Sequence, residues 1–369
     1  MFFKFYYPPD GVKNWNDLFY GQAKNAVNFY ANPKFTGYGE FTITIPYDPY
    51  FLSRLQINHI IQAGFDSNID PLWLIIQTIS FDTKVIIISG YDLNYLLTLR
   101  VSLFSETSQV QGYDPVAGNT VYCIQHYVDR NIISPADGER SIPMEFYANG
   151  VTGLSEDSYL AKLEPLNQIV DELCNTAGIG YRIAGAFGSG AAKFRMTMLS
   201  PTDKSINQSV NSPVVLGASR RNVKAVEFTH DVSNYLNAVY ATGAGVTVSV
   251  YRSSVIPAGV ERRECAVDVS TDTVADIPKY ALYAVKDNLR TDSYNIEPSG
   301  SQYGAEFQVG DIVTVSDDAL HNFYSALITE AEINIDDDGT AIRAVIGQQK
   351  PKLLNKIVNN LINGTYKKC

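Results

Sequence analysis

The sequence predicts a mainly β protein with α+β insertions, and three observations carry that reading. In "GEFTITIP", Phe41, Ile43 and Ile45 alternate with Thr42 and Thr44, the period of a strand with one buried and one wet face. β-branched and aromatic runs bounded by short turns recur towards both ends of the chain, among them "PLWLIIQTISFD", "KVIIISGY", "FQVGDIVTVSD", "SALITEAEINI" and "TAIRAVIG". Helical spacing of apolar residues is confined to a few segments.

The elements follow in order. Asp82-Thr83 is so short a joint between two β-rich runs that it predicts a hairpin. Residues 84–100, "KVIIISGYDLNYLLTLR", read as strand, glycine and short helix. Asp92 suits the N-cap because its carboxylate can accept the free N–H groups of the first turn, and Leu93, Leu96, Leu97 and Arg100 follow at helical spacing. "VYCIQHYV" has a strand-like composition. Pro165 opens an amphipathic helix with Leu166, Ile169, Val170, Leu173 and Cys174 on one face, and the glycines of "NTAGIG" close it. "YRIAGAF", "GSG" and "AAKFRMTML" form a hairpin with a glycine-rich turn. Strands return in "VKAVEFTHDV", "LNAVYATGA" and "VTVSVYR", and "IPKYALYAVKDNL" is a further helix. Asp337-Asp338-Gly339 folds the last two strands into a hairpin. Residues 351–369 put Leu353, Leu354, Ile357, Val358, Leu361 and Ile362 on one stripe of a C-terminal amphipathic helix.

Composition narrows the function. A net charge of −10 opposes any role that grips a phosphate backbone. The 24 Tyr suit half-buried strands and contact surfaces, having an apolar body and a polar tip. Cys123, Cys174, Cys265 and Cys369 lack C-x-x-C spacing and read as reduced thiols. "MFFKFYYPPDG" is broken by Pro8-Pro9 too early for a signal peptide, and no apolar run approaches the ~20 residues that span a bilayer. The expectation is a soluble protein made and kept in the cytoplasm, or exported only by lysis.

Each chemical motif falls short. Gly90 stands without the other glycines of a dinucleotide loop, and "ISG" lacks the first glycine of a nucleophile elbow, so "SGYD" reads as a structural joint. "GAFGSGAAKF" has Ala191 where a phosphate loop needs Lys. "NIDDDG" places Asn334, Asp336, Asp338 and Gly339 like the start of a calcium loop, but Val345 stands where the bidentate Glu belongs. His59, His126, His230 and His321 form no metal-binding pair, and Cys123 and His126 fall on opposite faces if their segment is a strand. Glu156-Asp157 and Asp317-Asp318 read as solvated loop acids. No catalytic, cofactor-binding or metal-binding residue is assigned, and no cofactor is expected. Two other classes stay open: a cell-wall or polysaccharide hydrolase, and a carbohydrate-binding protein using the tyrosines.

The ordered set "NFYANPKFTGYGEFTITIP", "KVIIISGYDLNYLLTLR", "LNQIVDELCNTAGIGYRI", "NYLNAVYATGAG", "FQVGDIVTV" and "ALITEAEINIDDDGTAIRAVIG" is similar to the baseplate or tail-tip hub family of phage tails, tailocins and contractile injection machines. The resemblance spans nearly the whole chain, and residues 88–100 and 309–347 are its most specific parts. It implies a trimeric ring of two tube-like antiparallel β-barrel domains per subunit plus peripheral small α+β domains. Residues 1–110 would be the first barrel, 111–222 a peripheral α+β domain, and 223–252 with 300–350 the second barrel. Residues 253–299 would be an insertion and 351–369 a C-terminal helix. The implied partners are two further copies in a homotrimer, a tail tube or tube-initiator ring, a central spike protein and other baseplate or wedge proteins, with no specific nucleic-acid binding and no membrane anchor. The implied location is the virion or tail-like particle, assembled in the bacterial host cytoplasm. Some hubs carry a C-terminal hydrolase. This chain stops after one helix, so the resemblance implies a structural protein and no enzyme.

Overall fold

The computed structural model describes residues 1–347 apart from 25, 66–68, 104–113, 156, 162, 189, 270–273, 286–287, 299–302, 318–321 and 338. The helix expected over 351–369 therefore lies outside the described residues, as do His321, Glu156, Asp318 and Asp338. The chain divides into two compact units, one of Met1–Val226 with Asn295–Ile346 and one built on Glu227–Tyr294.

The first unit opens with seven strands: β1 (Phe2–Tyr6), β2 (Phe19–Ala23), β3 (Asn28–Ala31), β4 (Glu40–Pro46), β5 (Ile60–Gly64), β6 (Leu72–Phe81) and β7 (Val85–Asp92). They pair antiparallel in the order β2-β1-β5-β6-β7-β4-β3. The alternation read in "GEFTITIP" is obeyed, with Phe41, Ile43 and Ile45 buried. Phe3 on β1 meets Phe29 on β3 at a ring-centroid distance of 5.4 Å although the strands are not neighbours, so the sheet curls round its aromatic core.

A peripheral layer follows. β8 (Asp114–Gly118) leads into helix α1 (Thr120–Val128), and β9 (Met144–Tyr147) and β10 (Asp157–Ala161) precede helix α2 (Leu166–Ala177). The strand expected at "VYCIQHYV" is α1. Its β-branched and aromatic content pointed to a strand, but Asn119 caps Tyr122 N–H, and Val121, Ile124 and Val128 join Cys123 and Tyr127 in the core at helical spacing. Tertiary burial outweighs local propensity here. α2 buries Leu166, Ile169, Val170, Leu173 and Cys174 as its spacing predicts, the aliphatic ones each worth roughly 1.5–3 kcal/mol when fully removed from water. Gly178 ends it in the left-handed region at φ 66°. β11 (Gly180–Ala186) and β12 (Lys193–Leu199) form the expected hairpin, and β9 joins β12 in parallel.

β13 (Thr202–Asp203) and β14 (Val215–Gly217) come next, and the chain leaves the first unit within β15 (Val223–Asp231). In the second unit β16 (Ala238–Gly243) lies between β17 (Val246–Tyr251) and β18 (Glu264–Asp268), with helix α3 (Ile277–Ala284) supplying Ile277 and Ala281 to a small core. The hairpin of β16 and β17, grouped by sequence with the last strands, pairs with β18.

The chain returns within β19 (Thr291–Pro298) and ends in β20 (Asp311–Asp317), β21 (Asn322–Asp336) and β22 (Gly339–Gly347). β20 and β22 flank β21, antiparallel to it. β21 also pairs with β3 through Ile333↔Ala31, Asn334↔Tyr30 and Ile335↔Phe29. That seam fuses the first seven strands with β13, β14, β15, β19, β20, β21 and β22 into one 14-stranded sheet.

Candidate functional site: a three-way junction at residues 32–39

Gly90 answers to sheet geometry. It pairs with Ile76 beside an irregularity in β6, and a Cβ there would lie 2.1 Å from the Ile75 carbonyl oxygen. Two residues on, Asp92 ends β7 and turns the chain into a 3₁₀ helix, Leu93–Leu99. Its Oδ1 accepts Asn94 N–H at 3.0 Å, the cap read from sequence. Its Oδ2 accepts Gly39 N–H at 2.8 Å, while Asp92 N–H donates to the Gly39 carbonyl at 2.9 Å.

The segment clamped in this way, "NPKFTGYG" over residues 32–39, is held from three sides. Buried Asn94 donates to the Gly37 carbonyl at 2.8 Å and accepts Ile183 N–H at 2.8 Å. From α2, Asp171 Oδ1 accepts Gly37 N–H at 3.0 Å and the Tyr181 hydroxyl at 2.7 Å. Tyr181 N–H donates to the Phe35 carbonyl at 3.2 Å. From β21, Glu330 accepts Asn32 Nδ2 at 3.0 Å, and Phe35 N–H donates to the Thr329 carbonyl at 2.9 Å. Tyr38, Tyr91 and Tyr95 pack over the turn, with Tyr91 and Tyr95 stacked at 4.6 Å. Gly37 adopts φ 81°, and a Cβ at Gly39 would sit 2.2 Å from the Asn32 carbonyl oxygen, so both glycines are demanded by the path.

Burial sets the electrostatics. It pushes the Asp92 carboxyl up to about 7 against the pull of the Gly39 and Asn94 amides and of Lys34 and Arg182. It pushes Asp171 up to about 6 against the Tyr181 hydroxyl, the Gly37 amide and Lys34. The same burial, then the Asp171 charge, raises the Tyr181 phenol. Two carboxylates with raised values invite an acid–base reading. Both Asp92 oxygens, however, are engaged by backbone amides, and the cavity beside Asp92 is about 50 Å³, below the size of ordinary ligand pockets. The geometry joins three elements and commits both carboxylates to holding the 32–39 segment.

The remaining sequence candidates are scattered. His59 is buried, accepts or donates at 2.8 Å with the Tyr20 hydroxyl, and has its pKa lowered by burial. His126 lies 3.2 Å from Asp114, which also takes Arg130 at 2.6 Å. His230 pairs with Asp292. "GAFGSGAAKF" closes the β11–β12 hairpin and precedes no helix. Among the described residues no group of His, Cys, Asp or Glu could hold a metal ion. Sequence reasoning missed Asp171 and Tyr181, which carry no motif. Their one signal was the paired glycines of "TGYG".

The protein is thus a mainly β scaffold with a buried polar junction between chain segments. The chain belongs to the Siphovirus ReqiPepy6 Gp37-like protein family, whose model matches residues 18–348. Comparison with curated proteins finds no match. Among solved structures, the fold is similar to the 43 kDa tail protein of prophage MuSo2 from Shewanella oneidensis, at 12% identity and a TM-score of 0.58, covering 94% of this chain and 97% of that one. It is similar to the tail protein from Neisseria meningitidis MC58 at 14% identity and a TM-score of 0.56, with the same coverages of 94% and 97%. It is also similar to prophage tail protein gp18 from Listeria monocytogenes EGD-e, at 10% identity and a TM-score of 0.53, covering 98% and 99%. The resemblance to phage tails drawn from the ordered segments therefore holds.

Proposed function

We propose that this protein is the baseplate or tail-tip hub of a phage tail or tail-like particle, a homotrimer that adapts a sixfold tail tube to a threefold central spike. The observation that carries the reading is the seam between β21 and β3, which puts two blocks of seven strands into one sheet. Three copies, each with two such blocks, would present a pseudo-sixfold rim by closed threefold symmetry. β2 ends the first block with no further partner strand among the described residues, and a strand edge of that kind is a template for pairing with a neighbouring copy. The mechanism is mechanical: symmetry matching and holding through an interface of at least roughly 1,200 Å². Tube ring, spike and other baseplate proteins are the partners, the assembled particle is the location, and no turnover is involved.

Native mass spectrometry of the purified chain, alone and with tube and spike proteins, tests this. Ring trimers are expected; a stable monomer in both mixtures overturns the reading. Incubation with purified peptidoglycan is the second arm. Hydrolysis that disappears in Asp92→Asn or Asp171→Asn would make the protein an enzyme and overturn the purely structural reading.

A further inference from the structure

A cleft of about 570 Å³ lies within the first unit, between the outer face of the β11–β12 hairpin and residues 308–311. Its charges are already matched inside the chain. Arg182 pairs with Asp70 at 3.0 Å, Arg195 with Glu145 at 2.5 Å, and Lys204 with Asp311 at 2.9 Å. Neutral hydrogen-bonding groups are unmatched: the side chains of Thr197, Ser200, Thr202 and Gln308 line the cleft, and none has a partner among the described residues. Phe187 forms part of the wall. Its ring stands on Trp73 at 5.5 Å, yet the residue is 54% exposed, so one apolar surface faces the opening.

We propose that this cleft is a binding site for a neutral oligosaccharide. Matched ion pairs give no net charge to select an ionic ligand. Four uncommitted hydroxyl and amide side chains offer both donors and acceptors, which is what a ring of hydroxyl groups requires. An exposed aromatic wall matches the apolar C–H face of a sugar ring. The volume falls within the ~300–1,000 Å³ of pockets that enclose small ligands. A peptide would instead need apolar side-chain pockets or a free strand edge, and the outer edge of β11 is already engaged by the Phe35 carbonyl, the Asn94 side chain and the Trp15 indole N–H. The site is separate from the hub reading and stands or falls without it.

Isothermal titration of the full chain tests the proposal, with cellobiose, maltose and diacetylchitobiose as probes and glucose 1-phosphate and an uncharged tetrapeptide as counterparts. At least one neutral disaccharide should bind. Phe187→Ala and Gln308→Ala should each weaken it about tenfold, and Phe81→Ala, exposed on the β6–β7 hairpin, should leave it unchanged. Failure of all three disaccharides to bind overturns the site. Binding of the phosphate or peptide probe alone, or wild-type affinity in both cleft variants, does the same.

Discussion

The junction in the first unit and the small sheet in the second solve the same problem with different means. Residues 32–39 are fixed by buried carboxylates and an amide side chain that saturate backbone groups. Among the described residues, the second unit rests on a core of seven buried residues, Val239, Ala241, Val250, Val269, Ile277, Ala281 and Val285. Its polar cluster is on the surface: Arg262 pairs with Glu264 at 2.5 Å and donates to the Tyr240 hydroxyl at 2.7 Å, with its guanidinium 5.4 Å from the Tyr251 ring centroid. One arrangement excludes water and pushes carboxyl pKa values up; the other lies in water, and Arg262 pulls Glu264 down. Stability is therefore expected to be uneven along the chain, with the second unit opening first.

The largest test of that contrast is at glycine. Gly90→Ala places a Cβ against the Ile75 carbonyl and should destabilise the first unit by more than about 3 kcal/mol, read as a shifted urea midpoint or loss of soluble protein. Gly245→Ala in the second unit meets no atom within 4 Å and faces only its φ of 75°, so about 1 kcal/mol is expected.

Core truncation separates the units next. Both tryptophans, Trp15 and Trp73, belong to the first unit. Ile169→Ala should lower the unfolding free energy read from the tryptophan-fluorescence transition by about 2–5 kcal/mol. Ile277→Ala should speed amide exchange in β16 and β18 while leaving that fluorescence transition in place. A matching shift in both signals would mean the units unfold together.

The pH dependence should be smaller and opposite in sign. Asp92 and Asp171 titrate higher folded than unfolded, so the native first unit holds more protons between about pH 4 and 7, and its stability falls as pH rises through that window. Asp171→Asn should flatten that slope in urea titrations followed by tryptophan fluorescence. Glu264 titrates lower folded than unfolded, so its contribution is present above its unfolded value and is lost as pH falls through the folded one. The smallest effect expected is that of Glu264→Gln, an exposed pair whose loss should leave the exchange rates of β16 unchanged at neutral pH.

Much of the fold was legible because it is local. The Asp82-Thr83 hairpin, the Asp92 cap, the apolar face of α2 and the β11–β12 hairpin follow from period and turn chemistry within a dozen or so residues. The helix at "VYCIQHYV" was lost because its β-branched and aromatic residues favour strands until burial decides. The partners of β16 and the carboxylate clamp were hidden for another reason. Asp171 meets Gly37 across 134 residues, and nothing in either neighbourhood encodes that meeting. Even Asp92, read correctly as a cap, gave no sign of its second task on Gly39.

The seam between β3 and β21 also has a consequence in time. A ribosome must add roughly three hundred residues after Ala31 before Ile333 exists to meet it, about 15–60 s at bacterial elongation rates. Throughout that interval the nascent first block carries an open edge on β3, so synthesis is the stage at which this protein is most exposed to wrong pairing, and a transient cover for that strand would have most to protect.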